Sequence, residues 1–319
     1  MKERRERTAL ERILGHLGVA QLTHFVWERG RVGFHQNPEG MRDVVRTGFL
    51  ITGLAWAAAI CVTLPLGMEG LLPLLLVTGV WIAAATGLLL LNIGFLSTLS
   101  GEPVHRLGAA NLITLARIST LPLLSALILQ GRWTAALVAY LAIAFSDVAD
   151  GIIARRRHEE TRLGFILDPF GDILFQVVVF MSLWSCGRVG SGTVAAALVR
   201  YGLLLFGCLA LYFLMGRVWI RPTPFGRATG VALGAGTVLL LYGPISGWER
   251  DSLRLVERGI TILFIAGAIQ VLMIGWANIR RPAASGHGDW RKWGLKLARP
   301  GPGESAASRG DHEGVEEER

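Results

Sequence analysis

A chain of 319 residues, 52% of them hydrophobic and with a mean hydropathy of +0.46, is too apolar for a soluble globule and reads as a polytopic membrane protein. The net charge of +8 is spread over several polar segments, not gathered in one aromatic-interleaved stripe, so it points to anionic inner-leaflet headgroups and away from nucleic acid. Cys61, Cys186 and Cys208 fall in or at the ends of apolar stretches without metal-ligand spacing, and they read as packing residues.

Residues 1–46 form a basic N-terminal segment, with too many charges ahead of the first apolar run for a cleaved secretory signal. Within it Leu10, Ile13, Leu14 and Leu17 share one helical face, which suits either an interfacial helix or a loosely ordered basic tail. Apolar spans at 47–66 and 71–94 carry no ionisable residue, and the region 47–99 reads as a two-helix membrane module, an added anchor or oligomerisation element. Gly101-Glu102-Pro103 interrupts the chain, and residues 100–109 should run along the membrane surface and lead into the third apolar span.

Six further apolar spans, at 111–129, 134–154, 165–186, 192–215, 228–247 and 258–278, build a core within residues 100–281. The fold class is therefore all-α: a six-helix transmembrane core preceded by two extra N-terminal transmembrane helices. Residues 282–319 form a polar tail that reads as disordered past residue 300. Inside that tail Trp290, Trp293 and Leu297 form an apolar edge opposite Lys292 and Lys296, an arrangement fit for inner-leaflet contact.

Arginines set the orientation. The linkers 155–162 (Arg155, Arg156, Arg157, Arg162) and 216–227 (Arg217, Arg221, Arg227), the N-terminal segment and the stretch 280–299 after the last span are basic, whereas 67–70, 130–133 and 187–191 carry few charges. By the positive-inside rule both termini are cytoplasmic, in a bacterial inner (plasma) membrane.

The chemistry is concentrated in residues 147–172. Asp147, Asp150, Asp168 and Asp172 stand in or beside spanning stretches, where a bare carboxylate costs roughly several kcal/mol. No equal set of basic residues shares those spans, so cations are the natural neutralisers. At about 100° per residue, Asp147, Asp150, Gly151 and Ala154 form one helical stripe and Gly164, Asp168 and Asp172 another, joined by a short basic loop. Carboxylate oxygens suit hard divalent cations such as magnesium. Two such ions about 3.5–4 Å apart can activate an attacking oxygen and steady a leaving phosphate. Gly151, Ala154 and Gly164 leave room on the carboxylate face for a bulky ligand such as a nucleotide. The competing reading is a cation transporter. It explains buried carboxylates but not the small residues and Arg155 beside them.

This pattern, Asp147-x2-Asp150-Gly151-x2-Ala154-Arg155-x8-Gly164-x3-Asp168-x3-Asp172, resembles the signature of the CDP-alcohol phosphatidyltransferase family, with every fixed position filled. Asn111-x2-Thr114-x2-Arg117 is similar to the opening of that family's first core helix, with Ala110 in place of the usual proline. The resemblance spans residues 105–280. It implies that Asp147, Asp150 and Asp168 hold two Mg2+ ions, with Mn2+ the alternative, and that Asp172 joins them and takes the proton from an acceptor hydroxyl.

Thr114, Gly151, Ala154, Arg155 and Gly164 would line the cytidine nucleotide, while Asn111 and Arg117 would orient helices. The implied reaction transfers a phosphatidyl group from CDP-diacylglycerol to a small alcohol and releases CMP, in a homodimer. Leu167-Asp168-Pro169 and Thr161-Arg162-Leu163-Gly164 resemble the phosphatidylglycerophosphate synthase and cardiolipin synthase branches, whereas Gly171-Asp172-Ile173 departs from their Ala-Asp-Lys. Gly226-Arg227-Ala228-Thr229 is similar to a Gly-Lys-x-x-Thr element of the former branch. Arg217, Arg221 and Arg227 are apt to grip a phosphate monoester, which makes glycerol 3-phosphate the expected acceptor. Inositol phosphate, serine, phosphatidylglycerol and an amino alcohol are the alternatives.

Overall fold

Three helix starts are written in local capping chemistry. Asn37, Thr161 and Thr223 each turn a side-chain oxygen onto the backbone N–H three residues on, at Gly40, Gly164 and Gly226, and Pro38 and Pro224 occupy the first helical positions. The computed structural model describes residues 37–93, 96–98, 104–157, 161–215 and 223–280. Eight helices run through them: α1 (Pro38–Thr63), α2 (Leu71–Leu91), α3 (Ala109–Leu129), α4 (Trp133–Arg157), α5 (Arg162–Ser185), α6 (Ser191–Met215), α7 (Pro224–Tyr242) and α8 (Arg250–Arg280). No β-strand is present among the described residues, and a single isolated bridge joins Thr98 to Thr161.

The all-α expectation holds. Six of the helices are by themselves long and apolar enough to cross a membrane, while α4 and α6 contain shorter apolar stretches, Trp133–Ser146 and Ser191–Gly207. Large apolar side chains face outwards along the helices, among them Leu54, Val80, Phe206 and Met273, as a surrounding hydrocarbon phase permits.

Hydropathy misplaces some boundaries. α1 begins at Pro38 and not near 47, because the Asn37 cap and the proline start a helix whose polar first turns pack on protein. α7 begins at Pro224 and α8 at Arg250, again ahead of their apolar runs.

The far-side turns are tight. Gly131 and Gly187 adopt φ of 67° and 71° just beyond α3 and α5, and Arg132 and Arg188 then donate back to Leu127 and Leu183, closing each helix with a left-handed cap. α3 packs on both α4 and α5, α6 on α5 and α8, and α7 on α4 and α8. The central core is built where Phe180 and Phe264 meet edge to face at 4.9 Å and Tyr140 stacks on Phe175 at 5.0 Å.

The leading pair, α1 and α2, packs on the six-helix unit. A second core joins Val44, Ile51, Ile82 and Leu89 to Leu107, Leu115 and Leu163 of the six-helix unit. Trp81 Nε1 donates to the Ile118 carbonyl of α3 at 2.9 Å. The start of α1 also clamps the segment before α3: Asn37 Nδ2 donates to the Val104 carbonyl at 2.8 Å, and Asp43 Oδ2 accepts from the Leu107 N–H at 2.8 Å. Cys186 is partly buried as a packing residue, but Cys61 is exposed on the outer face of α1, which corrects the packing expectation there. The candidate interfacial helix near residues 9–28 and the Trp290–Leu297 segment lie outside the described residues.

Candidate functional site

The site end of the bundle is organised by a parallel seam between α3 and α5. Asn111 Nδ2 donates to Thr161 Oγ1 at 3.0 Å, and Thr161 is itself the cap of α5. One turn along, Thr114 Oγ1 donates to Asp168 Oδ1 at 3.0 Å. A further turn along, Arg117 Nη1 lies 3.1 Å from Asp172 Oδ1. Residues spaced by three on α3 thus meet residues one and two turns apart on α5, as two packed helices of 3.6-residue period require.

Two glycines allow the close approach. A methyl at Gly164 would come within 2.7 Å of Asn111 Oδ1, and one at Gly171 within 3.2 Å of Arg117 Nη2 and 3.5 Å of Ile118 Cδ1. The seam fills the Gly164 position with an α3 side chain. Pro169 sits inside α5 without ending it. Because proline has no N–H, the turn carrying Asp168 lacks one backbone hydrogen bond.

The electrostatics are asymmetric. Arg117 is buried, its side chain 3% exposed, whereas the Asp172 side chain is 56% exposed and Asp168 is exposed as well. The cation is rooted between helices, and both carboxylates open outwards from it, four residues apart on one face of α5. Tyr201 lies within electrostatic reach of Asp172 and of Tyr140.

Asp147, Asp150, Gly151, Ala154 and Arg155 belong to the last turns of α4, which also packs on α3. Their side chains, and Arg217 and Arg221 altogether, lie outside the described residues. Among the described residues no three His, Cys, Asp or Glu side chains converge on one point. The α5 half of the acidic motif is nonetheless of the right chemistry for a hard divalent cation: two exposed, oxygen-only donors one helical turn apart. Arg227 is exposed in the first turn of α7. Thr223, the cap of that helix, also accepts a hydrogen bond from Gln270 Nε2 of α8, which ties the start of α7 to α8.

The sequence marks Arg117 as a helix-orienting residue but does not pair it with Asp172. Arg200 is a residue that motif spacing passes over, and its signal is a lone charge inside the apolar run Val199-Arg200-Tyr201.

Residues 107–276 match the model of the CDP-alcohol phosphatidyltransferase family. Over 170 residues, 53% of this chain and 91% of the relative, the chain is 25% identical to a CDP-diacylglycerol--glycerol-3-phosphate 3-phosphatidyltransferase of Aquifex aeolicus. It is 32% identical over 135 residues, 41% of this chain and 63% of the other, to a Mycobacterium tuberculosis protein provisionally named a cardiolipin synthase. A 74-residue stretch, 23% of this chain and 24% of the relative, is 34% identical to a CMP-forming cardiolipin synthase of Rattus norvegicus. No solved structure matches the chain.

Proposed function

Because the chain belongs to the CDP-alcohol phosphatidyltransferase family, we propose that it transfers the phosphatidyl group of CDP-diacylglycerol to the hydroxyl of glycerol 3-phosphate, releasing CMP. The carrying observation is the α3–α5 seam, in which Asn111, Thr114 and Arg117 meet Thr161, Asp168 and Asp172 rung by rung. The family's first-helix opening and the second half of its acidic motif thereby become one rigid surface. The Aquifex relative, covered over 91% of its length, favours glycerol 3-phosphate as acceptor. The relatives named as cardiolipin synthases make phosphatidylglycerol the second reading.

Asp147, Asp150, Asp168 and Asp172 would hold two Mg2+ ions, or Mn2+ in their place. When bound, these supply the positive charge that steadies the departing phosphate and favours loss of the acceptor proton. The chain's own residues do the rest. Thr114, by donating to Asp168, holds that carboxylate in one rotamer. Arg117 holds Asp172 from beneath, through the oxygen that faces the protein.

Asp172 takes the proton from the acceptor hydroxyl as the new oxygen–phosphorus bond forms. The bond from that phosphorus to the CMP oxygen breaks in line, and CMP leaves with the electron pair. No protein nucleophile enters the sequence. Gly151, Ala154 and Arg155 border the cytidine nucleotide, while Thr114 and Gly164, packed inside the α3–α5 seam, support that side of the site from behind. Arg217, Arg221 and Arg227 receive the acceptor phosphate. The site opens on the cytoplasmic face of the inner membrane, where CDP-linked lipid, soluble acceptor and Mg2+ meet, and the enzyme works as a homodimer among anionic lipids.

The test is CMP release by the purified protein in the presence of Mg2+, with candidate alcohols supplied one at a time. Turnover with glycerol 3-phosphate supports the reading, and turnover confined to phosphatidylglycerol moves the chain to the cardiolipin branch. No CMP release with any alcohol refutes it.

A further inference from the structure

Arg200 stands in the interior of α6 and is only 9% exposed. It lies against Gly267 of α8, where a methyl group would come within 2.6 Å of Cζ and 2.7 Å of Nε and Nη1. The missing side chain at 267 is therefore what makes a berth for the guanidinium. Cζ is 5.7 Å from the centroid of the Tyr201 ring, a distant cation–π contact. Among the described residues no group accepts from Nε or Nη1, and both atoms are buried.

A guanidinium in a membrane-spanning helix is costly unless paired. Snorkelling does not account for this one, because the side chain is folded against α8 and not extended to an interface. Two unused donors on a rigid planar fork match an oxyanion, and phosphate oxygens above all.

The surroundings say which oxyanion. Gln270, one turn from Gly267 and so about 4.5 Å along α8, holds the Thr223 cap of the helix that carries Arg227. Tyr201, the next residue in α6, is within electrostatic reach of Asp172. Arg200 is thus linked through Gly267 and Gln270 to the α7 turn proposed for the acceptor phosphate, and through Tyr201 to the carboxylate proposed to deprotonate the acceptor.

We infer that Arg200 binds the phosphate of the acceptor alcohol and sets the specificity for phosphate-bearing acceptors, with Gly267 keeping its berth open. This rests on the transferase reading above. The ligand is a hydroxyl compound carrying a phosphate oxyanion, either a soluble phosphomonoester or the phosphodiester of a lipid headgroup.

The experiment uses the full chain in phosphatidylcholine nanodiscs and follows CMP release with glycerol 3-phosphate, phosphatidylglycerol or phosphate-free glycerol as acceptor, and with inorganic phosphate as competitor. Arg200→Gln should raise the KM for the phosphate-bearing acceptor about tenfold or more, with the KM for CDP-diacylglycerol held within about twofold. It should also abolish inhibition by inorganic phosphate. Arg200→Lys should recover part of the loss, and Gly267→Ala should shift the acceptor KM in the same direction as Arg200→Gln. The acceptor on which the loss falls identifies the source of the phosphate. Wild-type KM values for both phosphate acceptors and intact phosphate inhibition in Arg200→Gln overturn the inference while leaving the transferase reading in place. Wild-type turnover confined to phosphate-free alcohols overturns the inference and the glycerol 3-phosphate assignment, whereas no CMP release with any alcohol overturns the transferase reading itself. If Arg200→Gln does not insert, Arg200→Lys and Gly267→Ala carry the same decision.

Discussion

Arg117 of α3 reaches Asp172 of α5 across 3.1 Å, a buried guanidinium holding a carboxylate that is otherwise turned outwards. One oxygen of the carboxylate is anchored from below, so the rotamer of the proposed proton acceptor is set by a residue on another helix. Arg117→Leu should lower kcat by about tenfold to a hundredfold, a range typical of lost positioning, with little change in the KM for CDP-diacylglycerol. Arg117→Lys should restore part of the rate, because it keeps the charge while losing the planar fork. Steady-state CMP release in the two variants checks this, and equal loss in both would show that charge alone is not the function.

Gly171→Ala places a methyl within 3.2 Å of Arg117 Nη2 and 3.5 Å of both Ile118 Cδ1 and Thr114 Cγ2. The seam must open or the guanidinium must move, at a cost of about 1–3 kcal/mol by the usual overpacking range. The expected outcome is a lower Tm together with a kcat defect in the same direction as Arg117→Leu. Thermal unfolding and turnover measured on one preparation test the coupling.

Asp168→Ala and Asp150→Ala should each abolish CMP release while the protein still inserts and purifies with its helices intact. Chelation of divalent ions should silence the wild type, and added Mg2+ should restore it. Circular dichroism beside the activity assay separates lost chemistry from lost fold. Retained turnover in either variant contradicts the proposed ligand set.

Removing α1 and α2 should not release an intact six-helix enzyme. The deletion exposes Leu107, Leu115 and Leu163, strips the Ile118 carbonyl of its Trp81 donor and unclamps Val104 and Leu107. Trp81→Phe alone should cost about 1 kcal/mol, the usual worth of one hydrogen bond. The truncated chain should lose most of its stability and activity, as measured by thermal unfolding and CMP release in the same detergent.

Much of this is legible in the chain itself. Eight apolar runs announce eight helices, and the spacing of Asp168 and Asp172 alone puts both on one face of α5. What hydropathy misses is where polar chemistry decides. The Asn37-Pro38 start of α1 is a capping signal that an apolar-window reading passes over, and the Arg117–Asp172 pair joins residues 55 positions apart, which no local pattern reports. Arg200 is visible as an isolated charge, but its burial depends on Gly267 in a helix two elements away. The attachment of α1 and α2 is hidden for the same reason, since their apolar faces look alike whether they meet lipid or protein.

The seam between α3 and α5 constrains how this architecture can change. Its rungs depend on a fixed angular phase, so inserting one residue between Asn111 and Arg117, or between Gly164 and Asp172, would rotate every later rung by about 100° and dismantle the set at once. The far-side turns carry no such burden. Divergence in length should accumulate at those outer bends, leaving these two short stretches free of insertions and deletions.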